Sequence, residues 1–230
     1  MTASAPRYLL AALDMAGTTV AEGGLVYAAI EQAVAASVGR PVPGDVLARW
    51  KGTSKAEAIA GILRDLGADA SPARVAEVFD VFTARIDEAY REHPPTPIPG
   101  TLEAFAALRA AGVRVALQTG YSASVAAAIL DRLGWTVGEG GTVDALVTSD
   151  QVPQSRPAPY LVFRAMEATG VTDVRRVLAA GDTPHDLAAG TNAGAGLVVG
   201  VTTGAFDRAT LEAAPHTHLL DGIGGIVDLV

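Results

Sequence analysis

The chain has no cysteine. Disulfides, thiolate nucleophiles and zinc–thiolate centres are therefore excluded. Aromatic residues are few and alanine is abundant, a composition that favours closely packed helices. Basic residues are outnumbered, 17 Lys and Arg against 25 Asp and Glu. The net charge of -8 argues against non-specific nucleic-acid binding and against an anionic membrane face. An anionic substrate would have to be drawn in by local cations or a metal rather than by the global field. Long hydrophobic runs are missing too. The stretch around Leu9 to Leu13 is too short for a span or a signal peptide, and no basic segment precedes it. The expected location is cytoplasmic, with no membrane and no nucleic-acid partner.

Half of the residues are hydrophobic, so a compact fold is supported. A length of 230 residues suits one core carrying one modest insertion. Five short apolar runs read as buried strands: Tyr8 to Leu13, Val113 to Leu117, Ala145 to Val147, Val177 to Ala180 and Leu197 to Val201. Helical segments separate them, and that alternation predicts a doubly wound parallel sheet of the α/β class. Thr101 precedes one helix and Ser122 opens another that Gly134 stops. Pro184 suits the first turn of a helix running toward Gly190.

Between about Gly23 and His93 the strand pattern disappears. Leu25 to Val38 reads as a helix. Ser54 and Glu57 form a capping box for a second helix ended by Gly67. Ser71-Pro72 opens a third, with Val75, Val78, Phe79, Phe82 and Ile86 on one face. The Pro-rich tract from His93 to Gly100 reads as a stiff hinge. The expected organisation is a Rossmannoid core of residues 1–22 and 94–230, with an α-helical cap at 23–93.

In such a sheet the site forms beyond the carboxyl ends of the strands. That rule gathers Asp14 from the first strand and Thr119, Gly120 and Tyr121 from the second. Arg156 comes from the loop after the third, and Asp182 with Asp186 from the fourth. Clustered carboxylates repel unless a hard cation such as Mg²⁺ neutralises them. A phosphoryl dianion could then approach, with Asp14 as nucleophile, Thr119 on the phosphoryl oxygens and Arg156 balancing charge.

Four ordered motifs carry a resemblance: Asp14-Met15-Ala16-Gly17-Thr18-Thr19, Thr119-Gly120-Tyr121-Ser122, Arg156-Pro157 and Gly181-Asp182-Thr183-Pro184-His185-Asp186. Together they resemble the motifs of the haloacid dehalogenase superfamily of hydrolases, across nearly the whole chain. Ala16, where most phosphatases of that superfamily carry a second Asp, and Arg156, where most carry Lys, are similar to the phosphonatase-like subgroup. The resemblance implies Mg²⁺ held by Asp14, the Ala16 carbonyl, Asp182 and Asp186, with Thr18, Gly120, Tyr121 and Lys51 on the substrate side. The substrate it implies is a small phosphorus-containing anion. It also implies a homodimer through cap helices.

In phosphonatase a cap lysine forms a Schiff base with the substrate aldehyde, and Lys55 stands at the matching position after Gly52. Lys51 is the expected cationic neighbour that would lower its pKa. Phosphonatase has His, Met and Cys where this chain has Ala58, Lys51 and Gly24, so the Schiff-base half of the chemistry is altered. Three readings of Lys55 stay open: substrate contact, a solvated helix residue, and a Schiff-base amine. Tyr121 either touches substrate or packs under the cap. His185 is expected to face solvent, Trp50 and Trp135 to pack, and His216 and His218 to lie in a late strand-like segment without a metal partner. Two alternatives to C–P cleavage remain: a phosphomonoesterase, and a weakly catalytic binding or regulatory protein that keeps the fold, as Ala16 allows.

Overall fold

The computed structural model describes residues 6–230. Six parallel strands form one sheet in the order β5-β4-β1-β6-β7-β8. They are β1 (Leu10–Asp14), β4 (Arg114–Gln118), β5 (Ala145–Val147), β6 (Val177–Gly181), β7 (Leu197–Val201) and β8 (His218–Leu220). β1 and β7 are buried along their whole length, which is why both read as continuous apolar runs without alternation. The chain moves from β1 to β4 and β5 on one side, then to β6, β7 and β8 on the other. The direction reverses at β1, and a switch point of this kind opens a crevice at the carboxyl ends. Register places Asp14 opposite Gln118, and Leu13 opposite Ala180. The ends of β1, β4 and β6 therefore meet at one point.

Helices cover the sheet: α5 (Thr101–Ala110), α6 (Ala123–Leu133), α7 (Tyr160–Thr169), α8 (Pro184–Ala193) and the short α9 (Arg208–Glu212). Trp135 packs edge-on against Phe105 at 5.4 Å. The helix expected to run from Pro184 toward Gly190 continues to Ala193, and Gly194 takes the left-handed cap at φ 78°. Gly190 serves packing instead. A Cβ there would stand 3.0 Å from the Cβ of Ala179, so the missing side chain lets α8 lie close on the sheet.

A short antiparallel ribbon pairs β2 (Val20–Ala21) with β3 (Thr96–Pro97) inside the Pro-rich tract. Between these strands lie four helices rather than the expected three: α1 (Leu25–Val38), α2 (Gly44–Arg49), α3 (Lys55–Asp65) and α4 (Pro72–Glu92). α2 is only six residues long, too short to show a periodic pattern. The Ser54–Glu57 capping box is formed at α3, and Val78, Phe82 and Ile86 of α4 are buried. Trp50 packs against Gly61, and its indole N–H donates to Asp65 at 3.0 Å.

Candidate active site

Asp14 ends β1 and is 5% exposed. Arg156, 3% exposed, is ion-paired through Nη2 with Asp14 Oδ1 at 2.7 Å and through Nη1 with Asp186 Oδ1 at 2.8 Å. Nη2 also reaches the Gln118 carbonyl at 2.8 Å. One planar guanidinium thus joins the ends of β1 and β4 to α8, which a point-charge ammonium could not do. Asp182 follows β6. Its Oδ2 accepts from the Ala205 N–H at 2.8 Å, and its Oδ1 from the Thr18 hydroxyl at 3.4 Å. Thr18 is thereby placed beside a carboxylate. Asp186 closes a capping box with Thr183, accepting from its N–H at 3.0 Å and its hydroxyl at 2.6 Å.

Carboxylate oxygens of Asp14, Asp182 and Asp186 lie within 4.8 Å of one another. Burial raises Asp14 to about 6, with Arg156 pulling it down and Asp186 pushing it up. Burial, then Asp186 and Asp14, push Asp182 well above the usual carboxylate range. This is a buried, under-neutralised set of hard oxygens. The Ala16 carbonyl accepts no hydrogen bond among the described residues, and Ala16 lines the same cavity. The donor set fits Mg²⁺.

Thr119 is buried, and its Oγ1 accepts from the Tyr121 N–H at 3.2 Å, which leaves the hydroxyl hydrogen available. Gly120 is needed for close approach: a Cβ there would lie 2.6 Å from the Thr53 carbonyl of the insertion. The Gly120 carbonyl accepts from the Lys55 N–H at 3.2 Å. Tyr121 is 1% exposed, and its hydroxyl meets that of Tyr90 at 3.4 Å. It packs under α4, and its ring centre lies 4.9 Å from Lys55 Nζ.

Lys55 is buried, so the solvated reading falls. Its ammonium lines the pocket of Asp14 and sits 5.3 Å from the Tyr27 ring centre. Burial lowers its pKa, Asp14 opposes that, and Arg156 is the neighbouring cation that pushes it down. The cationic neighbour expected at Lys51 is thus supplied by Arg156. Lys51 Nζ lies 5.1 Å from the Tyr27 ring and lines a different, larger cavity. His185 is half-buried rather than solvent-facing, because the Gly52 turn folds over it, and burial lowers its pKa. His218 begins the edge strand β8 and His216 lies just before it, both exposed and outside the acid cluster.

The free space beside Asp14 is only about 10 Å³. Next to it, sharing Ala16, Tyr27 and Asp182, is a chamber of about 440 Å³ lined also by Glu22, Gly24, Lys51 and Gly204. Four contributors were missed from sequence. Gln118 acts through a backbone carbonyl, and Tyr27 accepts from the Gly52 N–H at 3.1 Å. Glu22 is buried at the start of α1 and accepts from the Val26 N–H at 2.9 Å. None of these three has a local signal. Thr183 does: its spacing to Asp186 is that of a capping box.

Comparison with known proteins bears on this geometry. A phosphonoacetaldehyde hydrolase of Parabacteroides distasonis is 38% identical over 117 residues, 51% of this chain and 43% of that protein. One of Bacteroides fragilis is 30% identical over 142 residues, 62% of this chain and 52% of that protein. The chain thus spans about half the length of the curated relatives it matches. A solved phosphonoacetaldehyde hydrolase-like protein of Oleispira antarctica superposes with TM-score 0.83 at 21% identity, covering 100% of this chain and 94% of the other. A hydrolase of Pseudomonas syringae gives TM-score 0.83 at 18% identity, covering 96% of each chain. These two likenesses establish the shared fold. The profile of the haloacid dehalogenase-like hydrolases matches residues 8–194, most of the sequence, and the chain belongs to that family.

Proposed function

We propose that this protein is a Mg²⁺-dependent phosphohydrolase of the phosphonatase-like kind, acting on a small phosphonate or phosphate. The observation that supports it best is the buried Asp14–Arg156–Asp186 bridge beside Asp182. Asp14, the Ala16 carbonyl and Asp182 would hold the ion, with Asp186 nearby. When bound, it would neutralise the carboxylates and draw charge from the phosphoryl oxygens.

A carboxylate oxygen of Asp14 attacks phosphorus. A P–O bond forms to Asp14 and the bond to the leaving group breaks, its electron pair departing with that group. Water then hydrolyses the aspartyl-phosphate and restores the carboxylate. Arg156 keeps Asp14 ionised and oriented, and shares charge with the phosphoryl group. The Thr119 hydroxyl donates to a phosphoryl oxygen. Ala16 supplies no proton, so the leaving group must depart unaided or be stabilised by Lys55, the one amine lining the Asp14 pocket among the described residues.

The leaving group extends into the chamber, where Lys51 contacts it. A second reading, phosphate-ester hydrolysis without a Schiff base, is favoured by two observations. The chamber of about 440 Å³ far exceeds an aldehyde of three heavy atoms. Ala58, at the position of the phosphonatase His, is buried in the α3 core and offers no base. The residues of the helical insertion, 23–93, form the selecting cap, and a homodimer through its helices belongs to the same proposal.

Phosphate release with Mg²⁺ across a panel of phosphonates and phosphate esters tests the reading. Borohydride trapping at Lys55 with a phosphonoaldehyde identifies C–P cleavage, and ester turnover without trapping identifies the esterase. Silence across the whole panel would refute both.

A further inference from the structure

Glu57 stands in the first turn of α3, and its two oxygens serve different parts of the chain. Oε2 accepts from the Ser54 N–H at 3.2 Å and the Ser54 hydroxyl at 2.8 Å, which closes the capping box inside the helical insertion. Oε1 accepts from the N–H of Ser155 at 3.2 Å, across 98 residues of sequence, in the loop after β5. A capping box requires only the first set of bonds. The residue after Ser155 is Arg156, whose guanidinium holds Asp14, Asp186 and the Gln118 carbonyl.

One carboxylate therefore ties the helix that begins with Lys55 to the loop that carries Arg156. Other contacts hold the insertion to the core elsewhere: Lys55 N–H on the Gly120 carbonyl, and Asp87 on Arg132 at 2.7 Å. Among the described residues, Glu57 makes the only side-chain hydrogen bond from the insertion to the 148–158 loop. The bond is charge-assisted and partly shielded from water, so it is stronger than a neutral one.

We propose that Glu57 is a positioning residue: through the Ser155 N–H it fixes the Arg156 loop when the insertion is closed, so that closure and placement of the guanidinium on Asp14 occur together. The claim rests on the hydrolase reading only where turnover is the readout.

The competing role is a plain helix cap, and two variants separate the roles. Ser54→Ala breaks the capping box but leaves Oε1 facing Ser155. Glu57→Ala breaks both. Glu57→Met keeps most of the volume and the helix propensity but has no oxygen acceptor, and serves if the Ala variant fails to fold. Hydrogen exchange of the metal-free full chain reads the loop directly. The Ser155 amide is expected to exchange at least about tenfold faster in Glu57→Ala, and to change less than about threefold in Ser54→Ala. In the active enzyme kcat falls at least about tenfold in Glu57→Ala with KM little changed, while Ser54→Ala stays within about threefold of wild type.

Unchanged exchange at Ser155 in the Glu57 variants would overturn the proposal. So would equal acceleration in Ser54→Ala, or wild-type turnover in a Glu57 variant whose loop is released. If wild-type protein proves silent toward every substrate, the hydrolase reading fails, and the exchange arm alone decides whether Glu57 couples the two segments.

Discussion

Replacing Arg156 with alanine should destabilise the fold by an amount that depends on pH. The guanidinium is the partner of both Asp14 and Asp186, at 2.7 and 2.8 Å, and all three groups are buried. Removing one member of a buried pair costs about 3–5 kcal/mol, because the remaining charge is uncompensated. An unpaired carboxyl can escape part of that cost by taking up a proton. Asp14 has an ordinary value of 3.8 and already stands at about 6 with Arg156 present. Without Arg156 it rises further and becomes neutral at pH 7. Protonating Asp14 from its ordinary value costs about 4 kcal/mol at pH 7, but wild type already bears about 3 kcal/mol of it because its value stands at about 6. The loss through this carboxyl is therefore about 1–2 kcal/mol at pH 7 and near zero at pH 5, and a loss nearer 3–5 kcal/mol requires that a carboxylate stay charged and unpaired. The sign follows from a carboxyl whose folded pKa lies above its unfolded one. Its penalty is absent at low pH and grows as pH rises from the unfolded value to the folded one. Urea melts of wild type and Arg156→Ala in EDTA at pH 5 and pH 7 measure the difference. A loss independent of pH, or one below about 1 kcal/mol at pH 7, would refute the buried-pair account.

Asp14→Asn should abolish turnover, by about 10⁴-fold or more, while the metal-free fold melts no lower than wild type, since a buried charge is removed; residual turnover near wild type excludes Asp14 as nucleophile. Mg²⁺ at about 100 times its Kd should stabilise by about 2.7 kcal/mol at pH 7.5. The gain should shrink at pH 5, below the Asp14 value of about 6, because protons compete for the same oxygens; calorimetric melts with Mg²⁺ and EDTA check both. Gly52 has φ 90°, and a Cβ there would stand 2.4 Å from Thr183 Oγ1. Gly52→Ala should therefore cost about 1–2 kcal/mol or more and depress kcat by unseating the cap of α8, and an unchanged melting temperature would contradict this. Lys51→Met should raise KM about tenfold for substrates with an anionic leaving group and leave neutral ones unaffected, which a kinetic series compares directly.

The strand ends were legible from sequence because fully buried parallel strands read as apolar runs with polar residues just beyond. That pattern located Asp14, Thr119, Asp182 and Asp186, and the structure brings them together with Arg156. What stayed illegible depends on how the insertion folds back. Lys55 is polar and sits in a helix first turn, which locally suggests solvent; it is buried because Tyr27 and Tyr121 close over it. His185 lost its expected exposure to the Gly52 turn in the same way. The role of Gly190 was also illegible: it serves helix-on-sheet contact inside α8, which only the neighbouring strand reveals.

The two cavities bear on why position 16 carries so small a side chain. On the proposed reading, a cavity of about 10 Å³ beside Asp14 is too small for a phosphoryl group, and the insertion would open to load substrate and close to complete the site. Closure then seals the phosphoryl side through Gly120 against Thr53, Tyr90 against Tyr121, and Glu57 against Ser155. The larger free volume on the other side is the chamber that shares Ala16, Tyr27 and Asp182 with the Asp14 pocket. An acidic side chain at 16 would fill part of that passage and add a further carboxylate to a set already under-neutralised. Alanine removes both obstacles and the proton donor together. On the proposed reading, the chemistry would be limited to leaving groups that need no acid at position 16, or that find their proton or electron sink at Lys55.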